Sequence, residues 1–136
     1  MDTMSKADRS KRMALIRPKN TKPEILVRKM IFAEGFRYRL HQKSLPGCPD
    51  IVFRRLRKVI FVHGCFWHRH PRCKLARLPK SKLNFWVPKL SANRSRDLRN
   101  IREIKRAGWR SLTIWECETK NTSRLRRKLI EFLNEG

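Results

Sequence analysis

The residues of this chain that could do chemistry are concentrated between His63 and Cys73. This stretch holds three of the four histidines and two of the four cysteines, together with Phe66 and Trp67. Imidazoles act as metal ligands and as general bases near neutral pH, and thiolates bind zinc. Aromatic rings beside arginines are suited to stacking on nucleic-acid bases. The stretch therefore combines metal binding, acid–base chemistry and base stacking in one place.

A metal cluster is predicted from four of these side chains. Cys65, His70 and Cys73 have the spacing C-x4-H-x2-C, and Cys117 lies at the end of a later predicted strand. Together they could form a Cys3His tetrahedron, the closed arrangement of a structural zinc site. Such a site would fasten a polar loop to that strand. The alternative is a set of buried free thiols with the histidines at the surface.

Candidate catalytic groups flank this cluster. If His70 binds the metal, His63 and His68 stay available as general acid or base. Asp50 begins an apolar run twelve residues before Val62. A carboxylate at the start of a strand could hold a hard cation through its oxygens, and the alternative is an ordinary turn aspartate.

The charge of the chain limits its partners. Lys+Arg number 35 against 11 Asp+Glu in 136 residues, a formal net charge of +24. This excess favours a polyanion, and nucleic acid is the first candidate; the alternative is a merely basic soluble protein. No window approaches the roughly 18 apolar residues of a membrane span. Residues 1–19 have no signal-peptide core, so we expect a cytoplasmic protein in which the cysteines bind metal or stay free thiols, with Cys48 uninvolved.

The order of elements predicts one mixed α/β domain over residues 21–136, preceded by a basic arm over residues 1–20. The arm is expected to order on a partner. Thr21 as N-cap and Glu24 as the acid of a capping box begin the first helix, and Gly35 ends it. Its predicted buried face is Ile25, Leu26, Met30 and Ala33.

Four strands and two further helices follow. Strands are predicted at residues 36–40, 50–53, 59–62 and 111–115, with the second and third forming an antiparallel hairpin. A long helix is predicted with Pro88 in its first turn and Gly108 at its end, carrying Leu90, Leu98, Ile101 and Ile104. A last helix begins at Ser123, with Leu125, Leu129, Ile130 and Leu133 inward.

Read together, these motifs resemble one family. The motifs are Pro49-Asp50, the run from Phe61 to His68, His70, Cys73, Phe85-Trp86, Asn93, Arg96-Asp97, Gly108-Trp109-Arg110 and Trp115-Glu116-Cys117. They resemble the very-short-patch-repair (Vsr) DNA mismatch endonucleases over about residues 5 to 133. The resemblance implies a restriction-endonuclease-like fold, a mixed β-sheet flanked by helices, with structural zinc held by the four cluster residues.

The resemblance also implies an activity. It is a magnesium-dependent nick 5′ of the thymine in T:G mismatches, which arise when 5-methylcytosine deaminates. Implied partners are double-stranded DNA with a T:G mismatch, a DNA cytosine methyltransferase and a repair polymerase, in the nucleoid of a bacterium. We expect a monomer, since one lesion on one strand has no symmetry. Two alternatives stay open: a non-catalytic zinc module that binds distorted DNA, and a nuclease of the same fold with another specificity.

Catalytic roles follow by position in the family pattern. Asp50 would bind magnesium with the backbone carbonyl of Val62. His68 would be the general base that activates water, and His63, assisted by Glu24, would contact the scissile phosphate or protonate the leaving group. Many nucleases with such a sheet carry an acid-x-Lys pair on the second strand, and here histidine would replace that lysine.

Recognition roles follow in the same way. A wedge that opens the base stack at the mismatch is implied for Phe66, Trp67 and Trp86. Readout of the mismatch is implied from the major groove for Lys89 and Asn93, and from the minor groove for Met13 and Ile16. The alternatives are core packing for the rings and a solvated helix face for the Lys/Asn pair.

Overall fold

The computed structural model describes residues 19–135, so residues 1–18 of the predicted arm, with Met13 and Ile16, lie outside the described residues. Within residues 19–135 the elements are three α-helices, four strands and two 3-10 turns: α1 Lys22–Ala33, β1 Arg39–Leu40, β2 Ile51–Phe53, β3 Lys58–His63, η1 Lys74–Ala76, α2 Leu83–Arg106, β4 Arg110–Trp115, η2 Glu116–Lys120 and α3 Thr122–Asn134. The predicted mixed α/β architecture is confirmed, and it fits a restriction-endonuclease-like fold.

The four strands form one sheet in the order β1-β2-β3-β4. The predicted hairpin is confirmed: β2 and β3 are antiparallel with Ile51 opposite Ile60, joined by the turn over residues 54–57. β4 returns through α2 and lies parallel to β3, with His63 opposite Trp115. The last residues of β3 and β4 therefore lie side by side at one end of the sheet.

Alternation along β2 and β3 supplies a core on each face of the sheet. On one face Ile51, Phe53 and Ile60 pack against α1 and α3. On the other face Val52, Val59 and Phe61 pack against Ile104 of α2. The sheet is thus a central layer between helices.

The first helix begins where predicted but buries a different face. Thr21 Oγ1 accepts a hydrogen bond from the Glu24 N–H at 3.4 Å, with Pro23 in the first turn. The buried residues are Glu24, Val27 and Ile31, whereas Ala33 is exposed. Leu26 and Met30 only flank the core. The prediction that the Glu24 carboxylate completes a capping box is wrong, because this carboxylate turns inward to Arg28 and His41.

Two other helix starts and one strand differ from the predictions. α2 begins at Leu83, so Pro88 lies inside the helix, and Leu98 is 50% exposed. α3 begins at Thr122 because the side chain of Asn121 caps the Arg124 N–H at 3.1 Å. Only two residues of the predicted strand 36–40 pair with β2.

None of the helices in the described part of the chain has the length and apolarity needed to cross a bilayer.

Lys58 fastens the last helix to the sheet from a buried position. Its side chain is 3% exposed, and Nζ donates to the carbonyls of Phe132 at 2.6 Å, Leu133 at 3.3 Å and Glu135 at 2.6 Å. These are carbonyls at the end of α3, which have no partner within the helix itself. Burial, and then the charge of Arg110, lower the pKa of Lys58.

We expect Lys58→Met to lower the free energy of unfolding by about 2 kcal/mol, because it removes a charged donor shared by several buried carbonyls. The measurement is urea denaturation at pH 7. Lys29→Met, on the exposed side of α1, is the control and should change stability by less than about 0.5 kcal/mol. Equal stability of the two variants would contradict this role.

Candidate active site and cysteine–histidine cluster

Asp50 lies at the mouth of the β2–β3 hairpin, where its side chain is 3% exposed. Its Oδ2 accepts a hydrogen bond from the Val62 N–H at 2.7 Å. Extending the hairpin register by two residues places Pro49 opposite Val62. Proline has no N–H, so it cannot donate to the Val62 carbonyl, which points to the same side as the Val62 N–H. A carboxylate and a backbone carbonyl thus meet at this edge.

Glu24 and His41 surround Asp50 from the side of α1. The His41 Nε2 lies 3.1 Å from each carboxylate oxygen of Glu24, and the His41 N–H donates to the Asp50 carbonyl at 3.1 Å. One ligand atom from each of the three residues lies within 4.8 Å of the others. Arg28 also pairs with Glu24. The carboxylate of Glu24 thus has hydrogen bonds with His41 and Arg28, and its predicted assistance of His63 stays a prediction.

The two candidate catalytic histidines lie against each other. The rings of His63 and His68 stack with centroids 3.9 Å apart and planes 7° apart. His68 reaches this position because its loop turns back, with its N–H donating to the Gly64 carbonyl at 3.1 Å. Its Nδ1 lies 2.5 Å from Oδ2 of Asp97 on α2. A carboxylate on Nδ1 fixes the tautomer and leaves Nε2 as the proton acceptor.

These groups converge on the end of β3. Asp50 binds the backbone of Val62, the next residue is His63, and His63 stacks on His68. The buried carboxylate of Asp50 is thus connected to the oriented imidazole of His68 through Val62 and the stacked ring of His63. This arrangement can hold a cation beside a general base, as hydrolysis of a phosphodiester requires.

The predicted Cys3His residues come together, each offering one ligand atom within 4.8 Å of the others. The Sγ–Nδ1 distances to His70 are 3.6 Å from Cys65 and 3.4 Å from Cys117. Zinc–sulfur and zinc–nitrogen bonds at tetrahedral angles predict about 3.6 Å for this spacing. The donor set and its dimensions fit zinc.

The thiols differ in their proton affinity without a metal. Burial raises the pKa of Cys65 to about 12, and burial also raises the pKa of Cys117. The pKa of Cys73 is lowered: burial opposes the shift, but hydrogen bonds from the Leu75 backbone and from the two other thiols outweigh it. A metal at this place would displace protons from the thiols of Cys65 and Cys117.

Trp115 lies between this cluster and the candidate catalytic histidines. Its ring stacks on His70 with centroids 4.2 Å apart and meets His63 edge-on at 5.4 Å. The neighbouring Glu116 accepts from the Cys65 N–H at 3.2 Å. Trp115 is half-buried and lies between the two groups of side chains.

The predicted wedge rings form a cluster of their own. Edge-to-face contacts join Phe66 to Trp67 at 5.3 Å, Phe66 to Trp86 at 5.3 Å, and Trp67 to Trp86 at 5.7 Å. All three are half-buried. Asn93 donates to the Trp67 carbonyl at 3.3 Å and therefore supports this cluster in the free protein. Lys89 lies one helical turn before Asn93. Burial lowers the pKa of Lys89, and the positive charge of Arg96 lowers it further.

Comparison with known proteins decides the family. The family described as DNA mismatch endonuclease Vsr matches residues 1–75, which include Asp50, His63 and His68. The chain belongs to the Vsr family. It is accordingly a DNA endonuclease, and its substrate is DNA.

Relatives of this chain match it beyond residue 75 as well. The type II nicking enzyme V.XorIIP of Xanthomonas oryzae is 46% identical over 98% of this chain and 97% of its own length. V.NmeAIP of Neisseria meningitidis is 42% identical over 98% of this chain and 95% of its own length. The DNA mismatch endonuclease Vsr of Escherichia coli is 40% identical over 91% of this chain and 79% of its own length.

Sequence reasoning gave no role to two residues of this site, His41 and Asp97. Asp97 stood in one of the family motifs, but its partner His68 lies 29 residues away. His41 directly follows β1, and the pairing of Leu40 with Ile51 places it opposite Asp50. The register between β1 and β2 would have identified His41. The predicted strand over residues 36–40 was too long to define that register.

We expect Asp97→Asn to slow DNA cleavage by about 10²–10⁴-fold, because an amide no longer selects the His68 tautomer with Nε2 as acceptor. The measurement is single-turnover cleavage beside DNA affinity, which should change little. Glu103→Gln, exposed on the same helix, is the control and should cleave like wild type. An Asp97→Asn rate within threefold of wild type would rule out this orienting role.

Proposed function

We propose that this Vsr-family enzyme nicks one strand 5′ of the thymine in T:G mismatches by magnesium-dependent hydrolysis. The observation that carries the proposal is the stacked His63–His68 pair, held by Asp97, beside the Asp50 carboxylate. Membership of a mismatch endonuclease family supports the substrate. The thymine preference and the metal come from the family resemblance of the sequence motifs.

Asp50 and the Val62 carbonyl would hold the magnesium. Both are oxygen donors, which is the ligand type that magnesium prefers, and both lie at the same strand edge. Bound there, magnesium would supply positive charge that stabilises the phosphate in the transition state. Because Asp50 also accepts from the Val62 N–H, its carboxylate is oriented before any cation arrives.

The histidines would carry the proton transfers. Nε2 of His68 takes the proton from the attacking water, and the Asp97 carboxylate stabilises the imidazolium that results. His63 contacts the scissile phosphate or gives a proton to the leaving oxygen as the phosphorus–oxygen bond breaks. Glu24 adds negative charge on the far side of Asp50, where it interacts with His41.

Recognition would combine charge and deformation of the DNA. The net charge of +24 attracts the phosphate backbone without regard to sequence. Phe66, Trp67 and Trp86 would enter the base stack at the mismatch, where unstacking costs least. For this insertion the three rings have to separate from one another. Lys89 and Asn93 would read the wobble pair from the major groove.

Residues 1–20 would act as a DNA-clamping arm on the nuclease domain of residues 21–136. In this arm Met13 and Ile16 would press from the minor-groove side. We further propose that the enzyme acts as a monomer on the bacterial nucleoid. A DNA cytosine methyltransferase would create the 5-methylcytosine whose deamination gives the mismatch, and a repair polymerase would extend from the nick.

The Cys3His cluster would hold structural zinc. Its spacing fits four-coordinate zinc, and all four coordination positions would be filled by protein. The chemistry that zinc supplies there is a cross-link between the loop of residues 65–73 and the end of β4. Through Trp115 this cross-link also supports the ring of His63.

We expect end-labelled T:G duplexes to be nicked on the thymine strand only with magnesium, and T:A or C:G duplexes with the same flanks to stay intact. Asp50→Asn should slow nicking by about a thousandfold or more, equivalent to about 4 kcal/mol of transition-state stabilisation. Asparagine can still accept from the Val62 N–H, so the fold and mismatch binding should persist.

Two results would contradict the proposal. Wild type that binds T:G duplexes but never cleaves them with magnesium would be a non-catalytic binding module. Equal cleavage of matched and mismatched duplexes would make the chain a nuclease of another specificity.

We expect about one zinc per chain in wild type and loss of most of it in Cys117→Ser, because a hydroxyl is a much poorer zinc ligand than a thiolate. The measurement is metal analysis of protein dialysed against metal-free buffer. Cys48→Ser is the matched control, since Cys48 is the cysteine that lies outside the cluster. Equal zinc in the two variants would rule out the cluster as the zinc site.

A further inference from the structure

We propose that His41 is a nitrogen ligand of the cation held beside Asp50, so that this centre binds manganese and later transition ions in preference to magnesium. The inference rests on the proposed function, in which Asp50 holds the catalytic cation. It adds a ligand and a metal preference to that site. The residues that carry it are Glu24, His41 and Asp50.

The distances among the three side chains match those around one cation. His41 Nε2 lies 3.1 Å from both carboxylate oxygens of Glu24. An octahedral ion with bonds of about 2.1 Å separates neighbouring donors by about 3.0 Å. One donor atom from each of the three residues lies within 4.8 Å of the others, so the three side chains form one cluster of metal-ligand type.

The backbone holds His41 in this place. Its N–H donates to the Asp50 carbonyl at 3.1 Å, directly beyond the pairing of Leu40 with Ile51. Its φ is +47°, in the left-handed region that non-glycine residues adopt infrequently and at some cost. The chain therefore turns at His41 while the residue stays bonded to Asp50. The imidazole is thereby fixed beside the carboxylates instead of sampling solvent.

Burial and charge favour a divalent ion at this place. Glu24 and Asp50 are 2% and 3% exposed, and the side chain of His41 is 16% exposed. Arg28 neutralises part of the Glu24 charge. The two buried carboxylates lie close together, and a divalent cation bound by both would offset their mutual repulsion.

A nitrogen donor changes which metal is preferred. Oxygen-only sites suit magnesium, whereas an imidazole ligand raises the affinity for transition ions, least for manganese and increasingly for iron, cobalt and nickel. His41→Gln should therefore weaken manganese binding by about 10–100-fold or more, since loss of an outer-shell partner of a metal ligand already costs that much. Magnesium binding should change much less, because magnesium gains little from nitrogen.

The test is pulsed electron paramagnetic resonance of manganese bound to the full chain. Wild type carrying ¹⁵N-labelled histidine should show nitrogen coupling from a directly bound imidazole, and His41→Gln should lose it. His41→Asn serves as a second variant, and urea denaturation checks that both variants fold. Titrations with manganese and magnesium give the two affinities for each protein.

Each outcome separates the inference from the proposed function on which it rests. If manganese binds through Asp50, so that Asp50→Asn abolishes binding, but no histidine nitrogen couples, His41 is not a ligand and the proposed function stands. Nitrogen coupling that persists in both His41 variants also overturns the inference, because another histidine is then the donor. Manganese binding that is unchanged in Asp50→Asn removes the proposed cation site itself.

Discussion

The hydrogen bond from the Val62 N–H to the Asp50 carboxylate is the interaction on which the site depends. It forms where the β2–β3 pairing ends, because Pro49 cannot donate to the opposite strand. The carboxylate takes the place of a backbone acceptor for the Val62 N–H and is held at the open end of the hairpin. The residue after Val62 is His63, so the Asp50 carboxylate and the His63 imidazole both lie at the end of β3.

The parallel pairing of β3 and β4 supplies the second support. Because His63 lies opposite Trp115, the indole ring separates the candidate catalytic histidines from the cysteine–histidine cluster. His70 stacks on the other side of that ring. Zinc in the cluster would fix a loop that buries little apolar surface, and it would thereby limit where His63 and His68 can move. Through Trp115, zinc binding would thus support the position of the candidate catalytic histidines.

Local patterns in the sequence predicted much of this arrangement. The hairpin followed from two apolar runs around a basic turn, and the Cys3His group followed from ligand types and spacing. Features set by tertiary contacts were not predictable in this way. The face of α1 depends on how it packs against the sheet, which turns Glu24 inward to His41, 17 residues away. Asp97 likewise acquires its role only when α2 passes the loop of His68.

The central claim is that Asp50 and His68 act on the same phosphodiester. Its most direct test is a double-mutant cycle of single-turnover nicking with Asp50→Asn, His68→Ala and the double variant on a T:G duplex. Residues that act as one unit are strongly non-additive, so the double variant should be no more than a few-fold slower than the slower single variant. Rate losses that multiply in the double variant would show that the two residues act independently and would contradict the account.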